Sequence, residues 1–128
     1  MGTWGPGNFD SDSALNHLEK WQMLMIDEVR LFFETNTEDC AFIREANNKI
    51  IPTVDILATI CEHYSVSLVG ITPQILSGWK NSYLGAFDRV FDPKKYPDAV
   101  LGETIERRQI VEATFDRLFK IIVDGENT

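Results

Sequence analysis

The chain has 128 residues, of which 44% are hydrophobic and 25% charged, with a formal charge of −8. That size and apolar content describe one folded domain able to bury a core without disulfides or metal, and exclude a disordered chain. The acidity argues against direct nucleic-acid binding, which needs a basic face, and no apolar run approaches the ~20 residues of a membrane span.

Residues 1–12 form an arm in which glycines and Pro6 impose tight turns while Trp4 and Phe9 supply apolar surface. Both rings are expected to pack on the helical body, 13–124, with Asp12 capping the first helix. That helix spans about 13–35, with Leu15, Leu18, Met25, Val29 and Phe32 at helical spacing, joined by Trp21, Leu24, Ile26 and Phe33. Asn16, Lys20, Asp27, Arg30 and Glu34 mark the polar face, which Met23 interrupts.

Residues 38–49 read as loop or short helix, because Ala41-Phe42-Ile43 is too short a run to decide. Asn47 or Asn48 then caps a second helix, with Pro52 in its first turn, that runs to Tyr64 and buries Val54, Leu57, Ala58, Cys61 and Tyr64. Residues 65–69 read as a connection packed through Val66 and Leu68, with a strand as the alternative. Thr72-Pro73 opens a third helix to Trp79, frayed by Ser77-Gly78, and a fourth covers 82–91, burying Leu84, Phe87, Val90 and Phe91. Two prolines make 92–97 a surface loop. The last helix, 98–123, carries the stripe Leu101, Ile105, Val111, Phe115, Leu118 and Ile122, with Glu103–Arg107 and Asp116–Lys120 as i,i+4 pairs. Gly125 stops it, and 125–128 form a flexible tail. The fold expected is all-α, an irregular bundle of about five helices with the first and last as its spine.

Candidate chemistry is sparse. Gly5-Pro6-Gly7 lacks the preceding strand and the lysine of a phosphate loop, and Asp10 and Asp12 would repel an anion; nor do those two carboxylates make a calcium loop. His17 and His63 have no metal-ligand spacing; His17 suits a stack on Trp21 four residues on, and His63 a helix end. Cys40 and Cys61 lie in apolar surroundings and read as two reduced, buried thiols, which fits the cytoplasm. With no hydrolase motif, no catalytic residue, metal or cofactor is expected, and the chain does not read as an enzyme. Trp79 and Tyr83, flanking Lys80, are expected to seat the third and fourth helices.

The carboxylates Asp27, Glu28, Glu34, Glu38 and Asp39, with Glu45, are opposed only by Arg30 and Arg44. A solvated face is the plain account; a surface that docks a basic protein through charge complementarity is the sharper one, in the manner of an immunity protein inhibiting a toxin. A homodimer contact on the first helix is a further option. The alternative function is a small-ligand or structural module with a pocket between the arm and the first helix.

Met1-Gly2-Thr3-Trp4-Gly5 with Phe9, Asp12 and Ala14 resembles the N-terminal signature of a family of small bacterial proteins designated domain of unknown function four-two-five-nine. The resemblance covers residues 1–15 and, more loosely, length and helical pattern. It implies a bacterial, cytosolic, mostly helical protein and supplies no catalytic residues.

Overall fold

A computed structural model describes residues 5–35, 38–68, 70–92, 94 and 101–126, and among them the architecture is all-helical, without strands. Helix α1 spans Asp12–Glu34, α2 Asp39–Glu45, α3 Ile51–Tyr64, α4 Pro73–Val90 and α5 Leu101–Glu126. A π-helical turn, Ala46–Ile50, joins α2 to α3 without a break, so the described residues build four helical rods.

The start of α1 corrects the expected cap. Ser11, in extended conformation, accepts from the Ala14 amide at 3.2 Å, which leaves Asp12 as the first helical residue. There its charge complements the helix dipole without capping. Phe9 stands edge-on to Tyr64 at 4.6 Å between ring centres, and Asp10 accepts from the Gly7 amide at 2.8 Å. Trp4 lies outside the described residues.

Of residues 38–49, open between loop and short helix, Glu38 is an extended cap and 39–49 are helical, and neither Asn47 nor Asn48 is a cap. The Ile51 amide reaches back five residues to the Ala46 carbonyl, the wider turn that defines the π segment. Pro52, which has no amide to donate, follows immediately at the start of α3. Val54, Leu57, Ala58 and Cys61 are buried as expected, whereas Tyr64 is 41% exposed at the helix end. Ser65 then takes the left-handed conformation (φ 53°) that ends α3, and Leu68 buries the connection that follows.

Thr72 caps α4 through the Ile75 amide, with Pro73 in the first turn as expected. The helix does not stop at Trp79, so the third and fourth helices are one. Gly78 faces open space, where a helical glycine costs only about 1 kcal/mol, while Trp79 and Tyr83 are buried on either side of the expected break. Of the loop 92–97, only Asp92 and Lys94 are described. Likewise α5 runs through Gly125, which is no stop.

Val111, Phe115, Leu118 and Ile122 of α5 are buried; Ile105 is not, being 52% exposed. Asp116 pairs with Lys80 of α4 at 2.7 Å rather than with Lys120. The first and last helices do not form a common spine. The hub is α3, which packs against both α1 and α5, while α4 packs against α2 and α5. One apolar core runs through all of them, with Val29, Val54, Leu57, Leu76, Tyr83, Phe115 and Leu118 fully enclosed.

Polar groups tie this core together. Tyr83 Oη donates to Asn47 Oδ1 at 2.7 Å, and Arg107 donates to the same oxygen at 2.9 Å, joining the π turn to α4 and α5. Burial pushes the Tyr83 hydroxyl above its ordinary value. Arg117 of α5 bonds Asp55, Thr59 and Glu62 along α3, and its hydrogen bond holds the Glu62 carboxyl below the usual range. Arg108 grips Asp88 with two bonds, at 2.8 and 3.0 Å. In the core, Gln22 is buried and donates to Cys61 Sγ at 3.3 Å, and burial raises the Cys61 thiol. Cys61 is thus a core thiol, but Cys40 is exposed, contrary to expectation; both are free. Cys40 is the second residue of α2, one turn ahead of the apolar pair Phe42 and Ile43 that anchors that helix.

Candidate interaction surface

One line of α1 faces the core and another faces away from it. Leu18, Gln22, Ile26 and Val29 make the buried line. Trp21, Leu24 and Leu31, though apolar, are 54%, 61% and 67% exposed, and Met23 is exposed beside them. Sequence reasoning placed Trp21 and Leu24 in the core arc and passed over Leu31. The signal was present as a second apolar line on a helix whose first line already fills the core side. Exposed large apolar groups gathered on one element mark contact surfaces more often than isolated ones do.

The five carboxylates singled out by sequence divide between two elements and several tasks. Asp27, Glu28 and Glu34 lie exposed on α1, and Glu38 and Asp39 stand at the start of α2. Asp27 accepts from Arg30 at 3.0 Å, and the same guanidinium donates to the Gly70 carbonyl at 2.6 Å, holding the linker before α4. Glu38 accepts from the Cys40 amide and so caps α2. Asp39 is bound by Arg89 of α4 through two bonds, at 2.7 and 3.1 Å, which keeps that guanidinium firmly protonated. The contact charges on the outer face are therefore chiefly Glu28 and Glu34. Arg89 is the neutralising partner that sequence reasoning missed, since it lies fifty residues away in the chain.

Between α1 and the rod of α2 and the π turn runs an open groove of about 460 Å³. Leu31, Phe32, Ala41 and Ile50 line it, with Arg44 and Lys49 beside them, and Glu28 at its edge. The exposed line of α1 leads into this groove through Leu31. A second cleft, of about 330 Å³, lies on the other side of α2 and contains the Asp39–Arg89 pair. A third, of about 290 Å³, is bounded by the first half of α1 and residues 65–67.

The groups that could act chemically are dispersed. Trp21 Nε1 donates to His17 Nε2 at 3.1 Å with the two rings edge-on, so the pair meets at the expected spacing through a hydrogen bond and not as a stack, and His63 stands edge-on to Tyr64. Trp79 is buried against Phe33 with the rings 5.5 Å apart and nearly parallel, and Tyr83 is wholly enclosed, so both seat α4. Among the described residues no three or more His, Cys, Asp or Glu side chains gather to hold a metal ion. No helix described is long and apolar enough to cross a membrane. The arrangement offers an apolar line with carboxylates along it, which is contact chemistry. Compared with known proteins, the chain matches no family model, no curated protein and no solved structure.

Proposed function

We propose that this is a non-enzymatic protein-binding module whose outer α1 face docks a basic partner, in the manner of an immunity-type inhibitor. The observation that supports this reading is the exposed line Trp21, Leu24 and Leu31, each more than half accessible, with Glu28 within it and Glu34 beside it. Apolar area supplies affinity at the centre of a protein interface, and carboxylates around it select a cationic partner and speed its approach. The −8 charge of the chain extends that selection over a longer range. The setting proposed is the bacterial cytoplasm, on the resemblance of residues 1–15 to family four-two-five-nine and on the two free thiols.

Affinity capture from the native cells tests the reading. The wild-type chain should retain a basic protein that is lost when Asp27, Glu28, Glu34, Glu38 and Asp39 are neutralised together. Glu28→Gln with Glu34→Gln should account for most of that loss, because Asp27 and Asp39 already have arginine partners. A retained set indifferent to all five changes would end the proposal.

A further inference from the structure

The exposed residues of α1 have a spacing that says more than their exposure does. His17, Trp21, Leu24, Glu28 and Leu31 follow one another at intervals of four, three, four and three. That is the spacing of an a/d seam, along which one helix packs on another. It runs along the outside of α1, on a different side from the buried line Leu18, Gln22, Ile26 and Val29. From Trp21 to Leu31 it covers about 15 Å, at a rise of ~1.5 Å per residue. All its apolar members are more than half exposed, and none of the described elements packs over them.

We propose that this seam docks a single amphipathic helix of another protein, carrying a lysine or arginine at the position that meets Glu28. This rests on the protein-binding reading above and names the element that binds. The apolar spacing argues for a helix over a loop or strand, since a partner of the same periodicity can contact Trp21, Leu24 and Leu31 together. The cation follows from Glu28, which is flanked in the seam by Leu24 and Leu31. A partner that covers both leucines removes water from the carboxylate between them, and a carboxylate desolvated without a partner opposes docking. The next seam-edge carboxylate, Glu34, favours the same sign of charge. A second copy of this chain does not meet the requirement. Parallel pairing brings Glu28 against Glu28, antiparallel pairing about the middle of the apolar stretch from Trp21 to Leu31 brings it against Leu24, and both join two chains of charge −8. The groove beside Leu31 is lined by Phe32 and Ile50 and, from α2 and the π turn, by Arg44, Glu45 and Lys49, so the partner's flanking side chains that rest there are apolar or acidic and its cation is confined to the position of Glu28.

The test uses the full chain and two synthetic, alanine-based helical peptides of about three heptads. Both carry leucines at the positions meeting Trp21, Leu24 and Leu31; one has lysine and the other glutamate opposite Glu28. Binding is read by anisotropy of the labelled peptide. The lysine peptide should bind at least about tenfold more tightly than the glutamate peptide. Glu28→Lys should reverse that order, and Leu24→Ser should abolish both, with helical content by circular dichroism unchanged. Binding of neither peptide, or an order that Glu28→Lys leaves intact, overturns the helix proposal. So does sedimentation showing a dimer that Leu24→Ser dissociates. If the peptides fail while capture of a basic protein still depends on Glu28 and Glu34, the helix proposal falls and the broader reading stands. If capture is also insensitive to those charges, both fall.

Discussion

The α3–α5 interface and the outer face of α1 use opposite materials for their positions. Between α3 and α5 a core of Val54, Leu57, Phe115 and Leu118 is edged by an arginine that bonds three side chains, so polar groups close off what the apolar ones hold. On α1 the order is inverted, with apolar groups outermost and the carboxylates among them. Several of the chain's cations work between elements. Lys80, Arg89, Arg108 and Arg117 all join one helix to another, and Arg30 joins α1 to the linker. What remains for the outside is a negative surplus. The inter-helix cations are each matched by a carboxylate such as Asp39, Asp55, Asp88 or Asp116, whereas Glu28 and Glu34 stand exposed on α1.

The sharpest way to break this contrast is to truncate one side chain in each region. Phe115→Ala should cost about 3–5 kcal/mol in chemical denaturation, since that ring is wholly enclosed. A loss under about 1 kcal/mol would mean that the α3–α5 interface is not the stability centre. Next in size is Tyr83→Phe, about 1 kcal/mol at neutral pH, because Asn47 keeps its bond from Arg107. The same variant should alter alkaline unfolding. Burial raises the Tyr83 hydroxyl above the ordinary 10.0, so both states stay protonated below about pH 10 and its contribution is intact there. Above that pH the unfolded chain ionises first, and stability falls until the raised folded value is passed. Tyr83→Phe removes that decline and leaves the part due to Cys61, which begins near the ordinary thiol value of 9.0.

Smaller again is Arg117→Met, whose partners are partly exposed and screened by salt. Its signature is the acid side. Glu62 is held below the ordinary 4.5 first by its bond from Arg117, so its contribution is present above that value and disappears as pH falls through the lowered one. The variant should lose this acid dependence, and high salt should narrow its difference from wild type. Smallest is the paired change Leu24→Ala and Leu31→Ala, expected to stay within about 0.5 kcal/mol each by thermal melting. A loss above about 2 kcal/mol would place that seam in the fold's own core and refute its role as a contact face.

How much of this could be read beforehand varies along the chain. The long periodic helices α1 and α5 were legible because their buried side chains repeat over many turns. The joining of two expected helices into α4 was not, since Ser77-Gly78 is a local break signal, whereas the burial of Trp79 and Tyr83 is a tertiary fact. The region 38–50 was illegible for a similar reason, its apolar run being short and its π turn having no sequence marker beyond the Pro52 that follows. At the contact face, residue type gave the carboxylates. It could not give their partners, because Arg30 and Arg89 act through geometry that brings Gly70 and Asp39 to them.

The π turn between α2 and α3 acts as an angular offset built into one rod. With ~3.6 residues per turn, deleting one residue from Ala46–Ile50 and restoring ordinary helix would rotate α2 by about 100° relative to α3. Asp39 would swing off Arg89, and Phe42 and Ile43 would leave the core line they now occupy. The single surplus residue sets the phase between the half of the molecule that carries the groove and the half that carries the hub. A length change of one in this segment should therefore be tolerated far less well than a substitution at any of its positions.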